Sequence, residues 1–345
     1  MDKRLLAMHD LSGVGHTSLM AIIPIMYHYG IQVCPFPTAI LSANTCYPNY
    51  VMQDTTPFMR DTLTHWKSLG IKYDLIYSGF LGSPAQVDIL IDAVSSLLTP
   101  DGMVVVDPVL ADDGELYSCY DESMVTAMKK AIAFADIITP NYTEACFLTA
   151  TALQAIPSLA EIETICLSLC KMGAKQVIIT SIPQQDKTHT LVAYYQEQSL
   201  QTYSCHYVPY FYSGTGDVFT SLIIAKVLCN IPITEAIPQV IDFIHAAILE
   251  TLSCKRDGRE GICLDKTLAQ LANGLPISEL AVTAELSSEH SPNAMANRSL
   301  PSQLPPSLPS QLPPPLPSQL PSQFPPPLPS PLPSQLSPQA DTKPR

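Results

Sequence analysis

The chain has 345 residues and a formal net charge of -13, with only eighteen lysines and arginines against thirty-one aspartates and glutamates. Nucleic-acid backbones and anionic lipid demand clustered cations, so neither is expected as a partner; a small anion held by backbone N–H groups or a metal stays open. All fourteen glycines lie at or before Gly274 and about half of the thirty-three prolines lie beyond Leu300, which divides the chain into a domain over residues 1–275 and a tail over 287–345.

In chain order, residues 3–8 read as a first strand. The start is too polar for an export signal, and the longest apolar stretch, 19–31, is broken by Pro24 and His28. It is too short to span a membrane, so a cytoplasmic protein is expected. A loop, Leu11-Ser12-Gly13-Val14-Gly15-His16, leads into a helix over 17–29. Short β-branched runs follow at 31–34, 75–78, 103–106, 137–139 and 177–180, most of them separated by helix-length segments such as 85–98, 122–135 and 159–172. Strands alternating with helices imply an α/β fold: a mostly parallel central sheet with helices on both faces. Residues 191–207 read as a small edge hairpin, and 218–228 as an apolar helix. The ten cysteines show no CxxC pair and are expected to be reduced. The tail, built of Pro, Ser, Gln and Leu, has too little apolar periodicity to offset its ordering entropy and is expected to be disordered, with PxxP spacings suited to SH3- or WW-like grooves.

Ligands of such sheets bind beyond the carboxyl ends of the strands, where this chain carries Asp10, Ser78-Gly79, Asp107-Pro108, Thr139-Pro140-Asn141 and Thr180-Ser181. Gly214-Thr215-Gly216-Asp217 precedes the apolar helix. Two glycines allow a tight turn with exposed N–H groups, and the helix dipole points at the same spot, which makes an anion cradle. Asp217 is then positioned to take a proton from a hydroxyl beside that anion, kept ionised by the helix N-terminus. Asn141 and Glu144 fall one helical turn apart; a carboxylate there can order Mg²⁺ through water, and the same pair suits a plain helix cap. Asp107 and Asp112 in one loop favour a cation between them. The scattered histidines (His9, His16, His28, His65) show no metal spacing and are each expected to be satisfied locally; only His16 lies near the expected substrate loop.

These motifs, with no Walker A sequence anywhere, resemble the ribokinase-like small-molecule kinases. Thr38-Ala39-Ile40-Leu41-Ser42-Ala43-Asn44-Thr45, Ser78-Gly79-Phe80-Leu81-Gly82-Ser83, Asp107-Pro108-Val109-Leu110 and Ile137-Ile138-Thr139-Pro140-Asn141 narrow the resemblance to the pyridoxal/pyridoxamine (vitamin B6) kinases over residues 3–265. It implies a ribokinase-like three-layer fold and ATP-dependent phosphorylation of the 5′-hydroxymethyl group of a B6 vitamer. Asp217 becomes the base and Gly214, Thr215 and Gly216 the anion hole. Asp10, Ser12, Thr45 and Phe80 surround the pyridine. Asp107, Asp112, Asn141, Thr180 and Ser181 meet ATP. Glu144, Thr139 and Asp112 hold Mg²⁺, with a monovalent cation (K⁺ or Na⁺) nearby, and the assembly is a homodimer. Hydroxymethylpyrimidine kinase shares the same logic, and a non-catalytic B6 binder is the alternative from another class. Position 111 is Ala where the family usually carries Gly, and the tail has no family counterpart.

The domain division carries a test. Truncation near Ser287 should leave a stable, active core, measured by thermal melting and ADP release; loss of either would overturn the division.

Overall fold

The computed structural model describes residues 3–273. The expected tail and its groove-binding motifs lie outside the described residues. In chain order the elements are β1 (Arg4–Ser12), α1 (Leu19–His28), β2 (Gln32–Leu41), β3 (Met52–Asp54), α2 (Thr56–Ser68), β4 (Tyr73–Ser78), α3 (Pro84–Leu97), β5 (Leu98–Val106), β6 (Ala111–Asp112), β7 (Glu115–Leu116), α4 (Glu122–Ile132), β8 (Ile137–Ile138), α5 (Tyr142–Thr149), α6 (Leu159–Met172), β9 (Gln176–Pro183), β10 (His189–Gln196), β11 (Ser199–His206), α7 (Thr215–Leu228), α8 (Ile233–Ser253) and α9 (Leu264–Thr267).

Nine strands form one sheet in the order β11-β10-β9-β8-β5-β4-β1-β2-β3. The six from β9 to β2 are parallel, while β10 and β11 at one edge and β3 at the other run antiparallel. A two-stranded hairpin, β6–β7, stands apart. This is the three-layer α/β architecture expected, with the edge hairpin where the Tyr- and Gln-rich segment predicted it.

The two-residue period of a strand sends neighbouring side chains to opposite layers. Along β1, Leu6 and Met8 enter one core with side chains from α2 to α6, while Leu5 and Ala7 enter the other with α1, α7 and α8. Both faces are therefore covered, and the parallel strands read as unbroken apolar runs. Helix α7 packs between α1 and α8, and every residue from Val218 to Lys226 is buried.

β1 leads through α1 to β2 on one side, and β4 leads through α3 to β5 on the other, with α1 and α3 in opposite layers. The sheet thus reverses direction between β1 and β4, and open α/β sheets leave their ligand crevice at such a point.

Two boundaries differ from the sequence reading. β1 continues through Ser12, paired to Leu41, so Asp10 lies inside a strand instead of beyond one. Its pairing slips between His9 and Leu11, where Thr38 and Ala39 oppose Asp10; a bulge of this kind re-aims side chains. Helix α7 begins at Thr215, not Val218, because Gly214 already serves as its N-cap.

Candidate active site

Gly214 has φ +76°, in the left-handed region. A Cβ there would lie 2.8 Å from Thr17 Cγ2 and 3.0 Å from the His16 carbonyl oxygen. Only glycine lets the first turn of α7 settle on the loop that leaves β1. That loop answers with Ser18, whose own backbone is strained at φ 50° and whose N–H donates to Asp217 Oδ2 at 2.8 Å. Strain of this kind persists only where the surroundings fix it, and it gathers at functional sites. Ser18 also donates its hydroxyl to Asp10, so one residue holds two carboxylates.

Asp217 was expected to stay ionised beneath the helix dipole. Burial outweighs the dipole and the Ser18 N–H, and with the nearby Asp10 it pushes the carboxyl up to about 7. The group therefore holds its proton more tightly than an ordinary aspartate. Asp10 is raised too, chiefly by burial.

Asp107 ends β5 on the same side. It is buried, and its carboxyl stands well above the ordinary range through desolvation, Glu144 and Asp217. Its one close hydroxyl is that of Thr220, 3.5 Å away. Glu144, at about 8 through burial, feels Asp112 beyond it. Asp112 is half-buried and raised by desolvation and Asp113. Five carboxylates thus run across the strand ends, from Asp10 through Asp217, Asp107 and Glu144 to Asp112, and no lysine or arginine is among the charges that shift them.

Asn141 and Glu144 form a full capping box on α5: Asn141 Oδ1 accepts from the Glu144 N–H, and Glu144 Oε2 accepts from the Asn141 N–H, both at 2.8 Å. Glu144 Oε1 also accepts from Leu110 N, and Asn141 Nδ2 donates to the Ala111 carbonyl. The pair therefore ties the Asp107 loop to α5, and each Glu144 oxygen already receives a backbone N–H. Thr139, expected beside Glu144 and Asp112, instead accepts the Thr220 hydroxyl at 2.9 Å. Among the described residues no group of three or more His, Cys, Asp or Glu is disposed to hold a metal. The donor chemistry still fits Mg²⁺, because buried oxygen donors with raised pKa and no cationic partner suit an ion that keeps its waters.

On the opposite flank, Ser12 is buried and donates to Asp10 Oδ2 at 2.8 Å, so its hydroxyl orients Asp10 before any ligand. Thr45 is exposed, while its neighbour Asn44 is buried and donates to the Arg259 carbonyl. The same loop reaches the Gly214 turn through Cys46 Sγ, 3.0 Å from Ser213 Oγ. Phe80 is buried with Ala39 and Leu41, its ring 5.7 Å from that of Tyr120, forming an apolar wall. Thr180 is bridged to Asn141, and Ser181 is exposed with φ 57° at the irregular end of β9. Thr215 and Gly216 lie in the first turn of α7, and a Cβ on Gly216 would sit 3.8 Å from Asp107 Oδ2.

Two residues went unseen in the sequence, Ser18 and Thr220, and a third, His9, was expected to be satisfied locally, whereas the structure leaves both its ring nitrogens without a hydrogen-bond partner. A histidine in an apolar strand, a serine after a glycine loop and a threonine in an apolar helix carry no spacing signal of their own. His16, singled out for its position, instead lines an apolar groove with Met20, Ile23 and Leu264.

With this geometry in hand, similarity to known proteins is informative. The family model for phosphomethylpyrimidine kinase matches residues 21–260. The chain belongs to this family. Among curated relatives of this kinase, the pyridoxal kinase of Dictyostelium discoideum is 26% identical over 244 residues, covering 65% of this chain and 78% of the relative. A Bacteroides thetaiotaomicron protein, described as a phosphomethylpyrimidine kinase and crystallised with pyridoxal, is 39% identical with a TM-score of 0.76 and covers 79% of this chain and 96% of its own. Pyridoxal kinase from Lactobacillus plantarum is 28% identical with a TM-score of 0.71, over 84% and 99%.

Gly214→Ala tests the cradle. Left-handed strain plus the clash with the β1 loop should cost about 2 kcal/mol or more, and turnover should fall with the displaced N–H groups. Thermal melting and ADP release check both; an unshifted melt would show that the turn has room for a methyl group.

Proposed function

We propose that this kinase transfers the γ-phosphoryl group of ATP to the 5′-hydroxymethyl group of pyridoxal, pyridoxamine or pyridoxine. One observation carries the reading: Asp217, the acid that follows the glycine turn, is held by the Ser18 N–H at the N-terminus of α7, over the strand ends. The likeness to a protein crystallised with pyridoxal supports the B6 ring as acceptor.

In this reading the pyridine ring lies between the Phe80 wall and the Asp10–Ser12 pair, its hydroxymethyl group toward Asp217. The hydroxyl oxygen attacks the γ-phosphorus as its proton passes to Asp217. The bond from that phosphorus to the β,γ-bridging oxygen breaks, and its electron pair leaves with ADP. The N–H groups of Thr215 and Gly216, with the α7 dipole, hold the charge on the phosphoryl oxygens. Asp107, Asn141, Thr180 and Ser181 line the nucleotide end. Glu144, Asp112 and the Thr139 hydroxyl would hold Mg²⁺, and Asp107 with its neighbours would receive a monovalent cation. Such cations would supply the positive charge that offsets the phosphates among these carboxylates. Assembly as a homodimer belongs to the same proposal. No helix among the described residues is long and apolar enough to cross a membrane.

The decisive assay is coupled ADP release with pyridoxal, pyridoxamine, pyridoxine and hydroxymethylpyrimidine side by side. Turnover should favour the B6 vitamers; preference for hydroxymethylpyrimidine would reassign the substrate, and no turnover at all would make the chain a binder. Asp217→Asn should fold, bind ATP and lose roughly 10²–10⁴-fold in kcat. Only the ionised carboxylate accepts a proton, so with its pKa raised to about 7, kcat/KM should climb with pH through neutrality and fall below it. Wild-type turnover in folded Asp217→Asn would sink the mechanism.

Glu144→Gln keeps a capping residue at the same helix position, gives up one of the two backbone N–H bonds the carboxylate accepts, and removes the charge Glu144 would carry beside a cation. Turnover should drop at low Mg²⁺ and recover in part at high Mg²⁺. An unchanged Mg²⁺ dependence would leave Glu144 a helix cap alone.

A further inference from the structure

His9 lies at the centre of the site but has no part in the chemistry described so far. It sits on β1 two residues beyond Ala7, on the α7 face of the sheet, and no part of it reaches solvent. Neither ring nitrogen has a hydrogen-bond partner. A buried imidazole must carry at least one N–H, and buried donors are almost always paired. Among the described residues, the one carboxylate within ion-pair reach is Asp217, whose Oδ1 stands 3.7 Å from His9 Nδ1.

The ring has a place built for it. It meets the ring of Tyr77 edge-on at 4.3 Å. A Cβ on Gly79 would lie 2.0 Å from His9 Cε1, so glycine at 79 is what leaves room for the imidazole. The bulge after His9 fixes the direction in which it leaves the strand.

We propose that His9 is a positioning residue for Asp217: its Nδ1–H closes onto Oδ1 when substrate arrives, while the Ser18 N–H holds Oδ2, so that the carboxylate is fixed in plane with a lone pair toward the alcohol. The inference rests on the reading of Asp217 as the base. A gap of 3.7 Å is too long for a hydrogen bond and too short for a bridging water, and contacts of this kind often tighten only in the substrate complex. Burial pushes the imidazole down to about 3. It therefore stays neutral at every working pH, which suits a donor from Nδ1 and rules out a relay that takes the proton from Asp217. The other groups acting on Asp217 are Asp10 beside His9 on β1, Asp107 at the end of β5, Tyr77 on β4 and Tyr117 beyond β7. Of these, the two acids oppose its ionisation and neither tyrosine hydroxyl is hydrogen-bonded to it; His9, 3.7 Å away, is the neutral nitrogen donor at hand.

The test is kinetic, on the full chain, with His9→Leu, His9→Asn, Asp217→Asn and the double variant His9→Leu/Asp217→Asn. His9→Leu should lower kcat about 10–100-fold and leave KM for ATP and pyridoxal within about threefold. The midpoint of its acid limb should move to higher pH, because the ionised carboxylate loses a donor. His9→Asn, whose amide N–H takes nearly the place of Nδ1, should restore most of the loss. In the Asp217→Asn background, His9→Leu should cost nothing further. Wild-type kcat and acid limb in folded His9→Leu, or a full additional loss in the double variant, would overturn the proposal. If His9→Leu fails to fold, His9→Asn is compared with His9→Gln, which reaches toward the Nε2 position; equal activity in the two would overturn it as well. Wild-type turnover in Asp217→Asn would instead overturn the base assignment itself, and a crippled Asp217→Asn beside an unaffected His9→Leu would remove His9 alone.

Discussion

The site is organised around negative charge buried without a cation. Burying a carboxylate costs several kcal/mol unless hydrogen bonds, a counter-ion or a proton compensates, and here Asp10, Asp107 and Glu144 are buried with Asp217 and Asp112 partly buried beside them. Two local devices share the compensation. Ser18 gives its N–H to Asp217 and its hydroxyl to Asp10. The α5 cap gives Glu144 the N–H groups of Asn141 and Leu110. Asp107, with little beyond a distant threonine hydroxyl, has its pKa raised well above the usual carboxylate range by burial, Glu144 and Asp217.

The topology puts this row where it is. β1 and β4 send their following helices to opposite layers, and the gap this leaves admits the first turn of α7. Because α7 is buried almost all round, it cannot shift without disturbing both α1 and α8. Its N-terminal turn is therefore rigidly placed over the sheet, which phosphoryl transfer by positioning demands. Rigidity on one side is matched by strain on the other: Gly214 adopts its left-handed backbone at little cost, whereas Ser18, at φ 50°, holds its own only because the surroundings fix it.

The α5 end of the site follows a different logic. Asn141 and Glu144 are at once a helix cap and a clamp on the Asp107 loop. A carboxylate that caps a helix and holds a neighbouring loop is fixed in place, and a fixed carboxylate is the better outer partner for a hydrated metal.

The alternation of apolar runs, the glycine turn before the α7 segment and the Asn-x-x-Glu step after β8 were legible in the sequence, since each depends on neighbours within one helical turn or one strand. Local periodicity was enough for the parallel sheet, its edge hairpin and most of the acids of the site. What lay beyond it was anything that needed two distant segments to meet. Ser18 matters because α7, nearly two hundred residues on, brings Asp217 to its N–H; His9 matters because Gly79 and Asp217 close around its ring. The pKa of Asp217 belongs to the same class. A helix N-terminus is visible in sequence, but the depth of burial that outweighs it is decided only when β1, β4, β5 and α7 are packed together, because desolvation depends on everything that surrounds a group and not on its neighbours along the chain.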